Sequence, residues 1–213
     1  MNKHLVVYYD NPTEASDMYL KMIKQDAEKY GVLVHVCNSE KAVSALVFNE
    51  LYDLYRIPLL ILQPTKENFD YSSYIFTNID GDKYDSATAL GIYNHIVGLD
   101  PCRECTVGVI GRGLVGKELI DLLITYGYTV IELNSKTNGA VFEELLSHCN
   151  IIVGLSSTDN IIDKDQKDMI EFLSKKVWID AGHNFDFEDR TNVLKCGKWT
   201  REVLFDRIEE MWR

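Results

Sequence analysis

The stretch "VGVIGRGLVGKEL" (107–119) decides the fold. An apolar run from Val107 to Ile110 leads straight into Gly111, Gly113 and Gly116, and the residues after them carry apolar side chains at helical spacing. Glycines in G-x-G-x-x-G order between a strand and a helix have a defined physical use. The first permits a tight turn, the second lets backbone amides approach a pyrophosphate, and the third lets helix and strand pack closely. Bound phosphates then sit at the positive end of the helix.

The next strand, "TVIEL" (129–133), ends where a ribose-reading residue belongs in such a site, and the chain there runs "ELNSKT" (132–137). With Asn134 at that position and Ser135 and Lys136 beside it, donors are present and no carboxylate repels a phosphate. Arg112, inside the turn, adds a guanidinium suited to phosphate. This pattern favours NADP over NAD. Glu132 is the competing ribose partner, and Lys136 also reads as a solvated loop lysine.

Working outward, the chain alternates strands and helices. "HLVVYY" (4–9) reads as a strand, followed by turn and helix-start residues and a helix over 14–30 that Gly31 closes. "VLVHV" (32–36) is a second strand, 39–54 a helix with Ser39 as N-cap, and "IPLLILQ" (57–63) a buried strand. A loop-like segment and a helix from about 86 to 97 precede the glycine turn; "NIIVGLS" (150–156) and "KVWIDAGHN" (176–184) are later strands. The tail places Trp199, Val203, Leu204, Ile208, Met211 and Trp212 on one helical face. Parallel crossovers of this kind predict an α/β protein of two lobes with a cleft. The expected lobes are 1–85, completed by a C-terminal helix over 199–213, and a Rossmann-like dinucleotide-binding lobe over 86–198.

Composition bounds the function. The chain has 213 residues, 46% hydrophobic and 26% charged, with a formal net charge of −11. That charge opposes nonspecific binding to nucleic acid or anionic membranes. No run approaches the ~20 apolar residues of a bilayer span, which makes the cytosol the expected address. Five scattered cysteines suit reduced thiols, and Cys102 and Cys105 have C-x-x-C spacing without a second pair to complete a metal site. Asp80 in "NIDGD" lies among acidic residues beside a glycine, yet the twelve-residue calcium loop with its terminal glutamate is missing. No metal is expected.

Taken in order, these motifs resemble the methylenetetrahydrofolate dehydrogenase/cyclohydrolase family. "DNPTEASDMYLKMIKQDAEKYGV" (10–32) resembles its first-helix stretch carrying Ser, Tyr and a lysine four residues after the Tyr. "IPLLILQ" resembles its strand ending in a substrate-contacting Gln, and "NIDG" (78–81) its Asp-Val-Asp-Gly. "SATALG" (86–91), "VIGRGLVGKE" (109–118), "NSKT" (134–137) and "WIDAGHN" (178–184) follow at the places of its later motifs.

The resemblance implies that Tyr19 lines the pterin pocket and assists the chemistry, and that Gln63 and Asp80 bind folate. It implies that Arg112 and Ser135 receive the NADP 2′-phosphate, and that Gly111, Gly113 and His183 contact the cofactor. A homodimer acting on a reduced folate is expected from it.

The departures are as informative. Ile23 stands at the family's lysine, and Lys24 is rotated by about 100° on a helix. The wall after Gln63 reads "PTKENF", the glycine turn is one residue shorter, and no Pro-Gly-Gly-Val-Gly-Pro loop follows "GHN". The family's lysine serves chiefly cyclohydrolase chemistry, so the expected activity is interconversion of 5,10-methylene- and 5,10-methenyl-tetrahydrofolate without cyclohydrolase activity. Two alternatives stand beside it: a noncatalytic nucleotide- or folate-binding paralogue, and a dehydrogenase of another small substrate.

Overall fold

The computed structural model describes the chain apart from residues 1, 67–68, 73, 82–83, 101, 135, 137–146, 158–160, 162–175, 183 and 186–192. The described chain divides into two compact units, Met1–Ala87 with Arg201–Arg213, and Thr88–Thr200. Each is an α/β layer structure with its own parallel sheet.

The first unit holds β1 (Lys3–Tyr8), α1 (Glu14–Tyr30), β2 (Val32–Cys37), α2 (Glu40–Glu50), β3 (Ile57–Ile61) and β4 (Phe76–Asn78). Its strand order is β2-β1-β3-β4. β1 is central, and Leu5, Val6, Val7 and Tyr8 are all buried, as expected of a parallel strand covered on both faces. Thr13 and Ser16 start α1 with a reciprocal cap: the Ser16 amide donates to Thr13 Oγ1 at 3.1 Å and the Thr13 amide to Ser16 Oγ at 2.9 Å. Gly31 ends α1 in the left-handed conformation, at φ 65°. The buried face of α1 is Ser16, Leu20, Ile23 and Ala27.

α2 is shorter than its apolar pattern predicts. Its C-cap is Leu51, at φ −118° and ψ 12°, and that side chain is completely buried with Val6, Tyr8, Val43 and Leu59. Packing Leu51 into this cluster takes the chain off the helical path before residue 54.

The second unit holds α3 (Ala87–Leu99) from its second residue on, β5 (Thr106–Ile110), α4 (Leu114–Thr125), β6 (Thr129–Leu133), β7 (Ile151–Gly154), β8 (Val177–Asp180) and β9 (Val193–Lys195). The order is β6-β5-β7-β8-β9. One core cluster joins Ile92, Ile96, Val107, Val109, Leu119, Leu123 and Ile179; another joins Ile110, Leu133, Ile152, Trp178 and Phe185. Neither β4 nor β9 was expected, because three residues are too few to establish a period of two.

α5 (Gly197–Met211) begins in the second unit, and its segment from Arg201 belongs to the first. There Phe205, fully buried, stacks on Tyr30 with ring centroids 4.8 Å apart. Burial of a phenylalanine contributes up to about 3 kcal/mol. Arg201 Nε donates to Asp26 at 2.6 Å and Lys3 Nζ to Glu209 at 2.7 Å, which fixes the rotation of the helix about its axis. The buried face includes Phe205 and Arg207, both missed by the expected stripe. No helix among the described residues is long and apolar enough to cross a membrane.

Asp100 closes the turn before β5. Its carboxylate accepts from the Cys105 amide at 2.8 Å, and its carbonyl accepts from the Tyr128 hydroxyl at 2.7 Å. The bond from the Cys105 amide, partly opposed by burial, holds the Asp100 carboxyl below the ordinary aspartate range. Stability from such a group is present above the unfolded value of about 3.9 and is lost as pH falls through the lower folded value. Asp100→Asn is therefore expected to lower the urea midpoint at pH 7, and its deficit relative to the wild type is expected to shrink below about pH 4.

Candidate functional site

The strand order places a topological switch point between β5 and β7. From β5 the chain goes outward to β6 and then returns to the other side of β5 as β7. In open parallel sheets ligands bind outside the carboxyl ends of the strands at such a point. A cavity of about 550 Å³ lies there, lined by Ile110 to Gly113, Leu133, Asn134, Leu155, Ser156, Ser157 and Ile161. Its size falls in the ~300–1,000 Å³ range of small-molecule sites.

The glycines shape it by different means. Gly111 has φ 107°, and a β-carbon on it would lie 2.7 Å from the backbone of Leu155 and Ser156. A β-carbon on Gly116 would lie 2.0 Å from the Gly111 carbonyl oxygen. Gly113, at φ −68°, has nothing within 4 Å of a built β-carbon and is the N-cap of α4. No side chain caps α4, so its first-turn amides keep their donors for a ligand.

Arg112 and Asn134 both line the cavity, and both turn to one carboxylate. Arg112 Nη1 lies 3.5 Å from Glu132 Oε1, and Asn134 Nδ2 donates to the same oxygen at 2.9 Å. Asn134 Oδ1 accepts from the Lys136 amide at 2.9 Å. Ser135 and His183, the two other expected cofactor residues, lie outside the described residues.

The wall made by Leu155 to Ser157 went unread because the apolar pattern suggested a strand through 156, whereas β7 ends at Gly154. Asn184 explains the difference. Completely buried, it accepts from the Ser156 amide through Oδ1 at 3.1 Å and donates to the Ser156 carbonyl through Nδ2 at 2.9 Å, in the manner of a neighbouring strand. The strand expected over 176–184 likewise stops at Asp180. Asp180 Oδ1 accepts from the amides of Gly182 (3.2 Å) and Asn184 (2.9 Å), turning the chain, and Lys195 pairs with its other oxygen. The switch-point rule, applied to the loop after the third strand of this sheet, was the signal that could have found Ser156 and Ser157.

The remaining site residues lie in the first unit. Gln63 is exposed two residues beyond β3, and Asp80 is exposed two beyond β4. Half-buried Tyr19 lies in the second turn of α1, the helix that follows β1. All four strands are parallel, so their topology carries all three residues toward the carboxyl edge of one sheet.

Hydrogen bonds order this edge. Asp10 accepts from the Lys66 amide at 3.1 and 3.2 Å, tying the loops after β1 and β3. Asp80 Oδ1 accepts from Ala87 N at 2.7 Å, closing the segment after β4. Arg207, nearly buried, donates to the carbonyls of Ile79 (2.6 Å) and Asp85 (2.9 Å), on either side of that loop. Tyr9 donates to Asp17 at 2.6 Å, and burial followed by this bond pushes its phenol above the ordinary tyrosine range. Ile23 is 1% exposed, inside the packed face of α1, while Lys24 is exposed.

Among the described residues no cluster of His, Cys, Asp or Glu could hold a metal ion. The five cysteines are free.

No profile of a known protein family matches the chain. A search of curated proteins also returns no match. Solved structures do match its fold. The bifunctional 5,10-methylenetetrahydrofolate dehydrogenase/cyclohydrolase of Thermoplasma acidophilum aligns over 99% of this chain and 90% of its own, with a TM-score of 0.69 and 18% identity. The NAD-dependent 5,10-methylenetetrahydrofolate dehydrogenase of Saccharomyces cerevisiae aligns over 99% and 87%, with a TM-score of 0.72 and 14% identity. The Trypanosoma brucei dehydrogenase-cyclohydrolase, solved with NADP and an inhibitor, aligns over 98% and 85%, with a TM-score of 0.66 and 12% identity. The chain shares the two-domain α/β fold of these proteins.

The geometry separates the roles of the glycines. Gly116→Ala forces α4 away from the turn and is expected to cost about 1–3 kcal/mol, the usual range for overpacking. Gly113→Ala, with open space around it, is expected to cost less. Urea denaturation of the two variants measures the difference, and equal losses would contradict the packing assigned to Gly116.

Proposed function

We propose that this protein is an oxidoreductase that uses a nicotinamide dinucleotide, NADP in preference to NAD, to interconvert 5,10-methylene- and 5,10-methenyl-tetrahydrofolate. One observation carries the reading. The cavity at the β5/β7 switch point has the glycine turn, Arg112 and Asn134 in its wall, within a chain that aligns over nearly its whole length with methylenetetrahydrofolate dehydrogenase structures.

The residues suit such a cofactor. Gly111 brings backbone close, Gly113 leaves the first turn of α4 open to a pyrophosphate, and Arg112 with Asn134 and Ser135 receives the 2′-phosphate end. Gly116 keeps α4 against the turn, and His183 contributes to cofactor binding as the resemblance implies. When bound, the nicotinamide supplies the hydride acceptor. Tyr19, Gln63 and Asp80 orient the pterin from the carboxyl edge of the first sheet. Asp80 commits one oxygen to Ala87 N, and its second has no partner among the described residues, so it can accept from the pterin's amino edge.

Oxidation breaks one C–H bond of the methylene bridge. The hydride leaves with its electron pair, and the carbon becomes a methenyl cation conjugated with its two nitrogens. This step calls for alignment and needs no base. Hydrolysis of the methenyl bridge does need a positioned donor or cation to assist water. Ile23 offers neither, and Lys24 points to solvent. The protein is therefore a dehydrogenase without cyclohydrolase activity, working as a cytosolic homodimer by the same resemblance.

Purified protein mixed with methylenetetrahydrofolate and NADP is expected to produce reduced nicotinamide absorbance, more slowly with NAD. Methenyltetrahydrofolate is expected to decay only at the buffer rate. NADP binding without turnover would identify a noncatalytic nucleotide-binding paralogue instead, and turnover of another small substrate would keep the hydride chemistry and reject the folate. Ile23→Lys buries an unpaired ammonium and is expected to cost about 3–5 kcal/mol in urea denaturation.

A further inference from the structure

Arg112 is already engaged by a carboxylate before any phosphate arrives. Among the described residues Glu132 is its charged partner, at 3.5 Å, and Asn134 donates to the same glutamate oxygen at 2.9 Å. Two of the side chains assigned to the 2′-phosphate thus converge on an internal anion at the end of β6. The Glu132 side chain is 24% exposed and that of Arg112 57%, so the pair is reachable from solvent and only partly screened. The second carboxylate oxygen of Glu132 has no partner among the described residues.

We infer that Glu132 is a specificity-determining residue: its carboxylate competes with the 2′-phosphate of NADP for Arg112 and Asn134, and so admits NAD to the same site. The inference rests on the dinucleotide reading of the cavity. The two cofactors meet Glu132 differently. The 2′-phosphate brings further negative charge and, as the dianion, no donor, so it must displace an existing interaction while facing a like charge. The free ribose hydroxyls of NAD carry protons that the open oxygen of Glu132 can accept. Arg112 favours the phosphate and Glu132 moderates that preference, so the ratio of the two affinities is set by the balance between them. Asn134 is held at both ends of its amide, by Glu132 and by the Lys136 amide, which keeps its donor on the carboxylate.

Glu132→Gln tests this directly, because it removes the charge while keeping the shape and an acceptor oxygen for Asn134. Calorimetric titration with NADP and with NAD reads the outcome without turnover. NADP is expected to bind the variant about fivefold more tightly than it binds the wild type, with NAD unchanged or weaker. On an Arg112→Gln background the same substitution is expected to have a smaller effect, since the two side chains act as a pair. Glu132→Asp, which withdraws the carboxylate by one methylene, is expected to move the ratio in the same direction by less, and it serves if the glutamine variant fails to fold. A ratio of NADP to NAD affinity that stays fixed in these variants overturns the role of Glu132 and leaves the dinucleotide site standing. Failure of the wild type to bind either cofactor overturns the dinucleotide reading itself.

Discussion

The Gly111 carbonyl oxygen stands where a side chain on residue 116 would have to begin. That single close approach fixes how near α4 comes to β5, and the architecture of the second unit follows from it. With the helix drawn in, its uncapped first turn lies at the end of the central strand, and β6 and β7 flank that strand on either side. The cavity is the space left where three parallel strands end and their connections diverge. A bulkier residue at 116 would collide with Gly111, itself in the cavity wall, and push the helix out. Backbone approach, rather than an array of charged side chains, therefore sets the frame of the site, and Arg112, Glu132 and Asn134 tune it.

The first unit reaches order by another route. Its loops at the carboxyl edge are held by polar contacts, local from Asp80 to Ala87 and from distant parts of the chain for Asp10 to the Lys66 amide and Arg207 to the carbonyls of Ile79 and Asp85. Arg207 also lies over the Tyr84 ring, at 4.7 Å from its centroid. A nearly buried guanidinium spends its donors on main-chain carbonyls here, which ties loop geometry to a helix far away in sequence.

Much of this was legible in the residues. Local rules reached α1, from its helix-start residues to Gly31, and the turn at Gly111, because helix ends and glycine turns are short-range chemistry. They failed where tertiary contacts override local preference. Leu51 leaves the helix to fill a core position, and Ser156 leaves the strand because a side chain, Asn184, supplies the hydrogen bonds a neighbouring strand would. Glu132 was legible as a possible ribose partner, but its pairing with Arg112 depends on how β6 is set beside β5 and the turn that follows it, and no local pattern encodes that. The buried side of α5 was misjudged for a similar reason, since Arg207 reads as a surface residue until the carbonyls it meets are known.

The path of the chain through the two units bears on how the protein is made. Thr88–Thr200 is continuous, whereas the first unit is assembled from Met1–Ala87 and Arg201–Arg213. During synthesis β1 through β4 emerge early, yet the aromatic partner of Tyr30 and the guanidinium partners of Asp26, Ile79 and Asp85 are translated only after the whole second unit. Until then Tyr30 lacks its stacking partner and the loop between Ile79 and Asp85 lacks the guanidinium that spans it. The first unit therefore cannot be completed until the whole of the second has been translated.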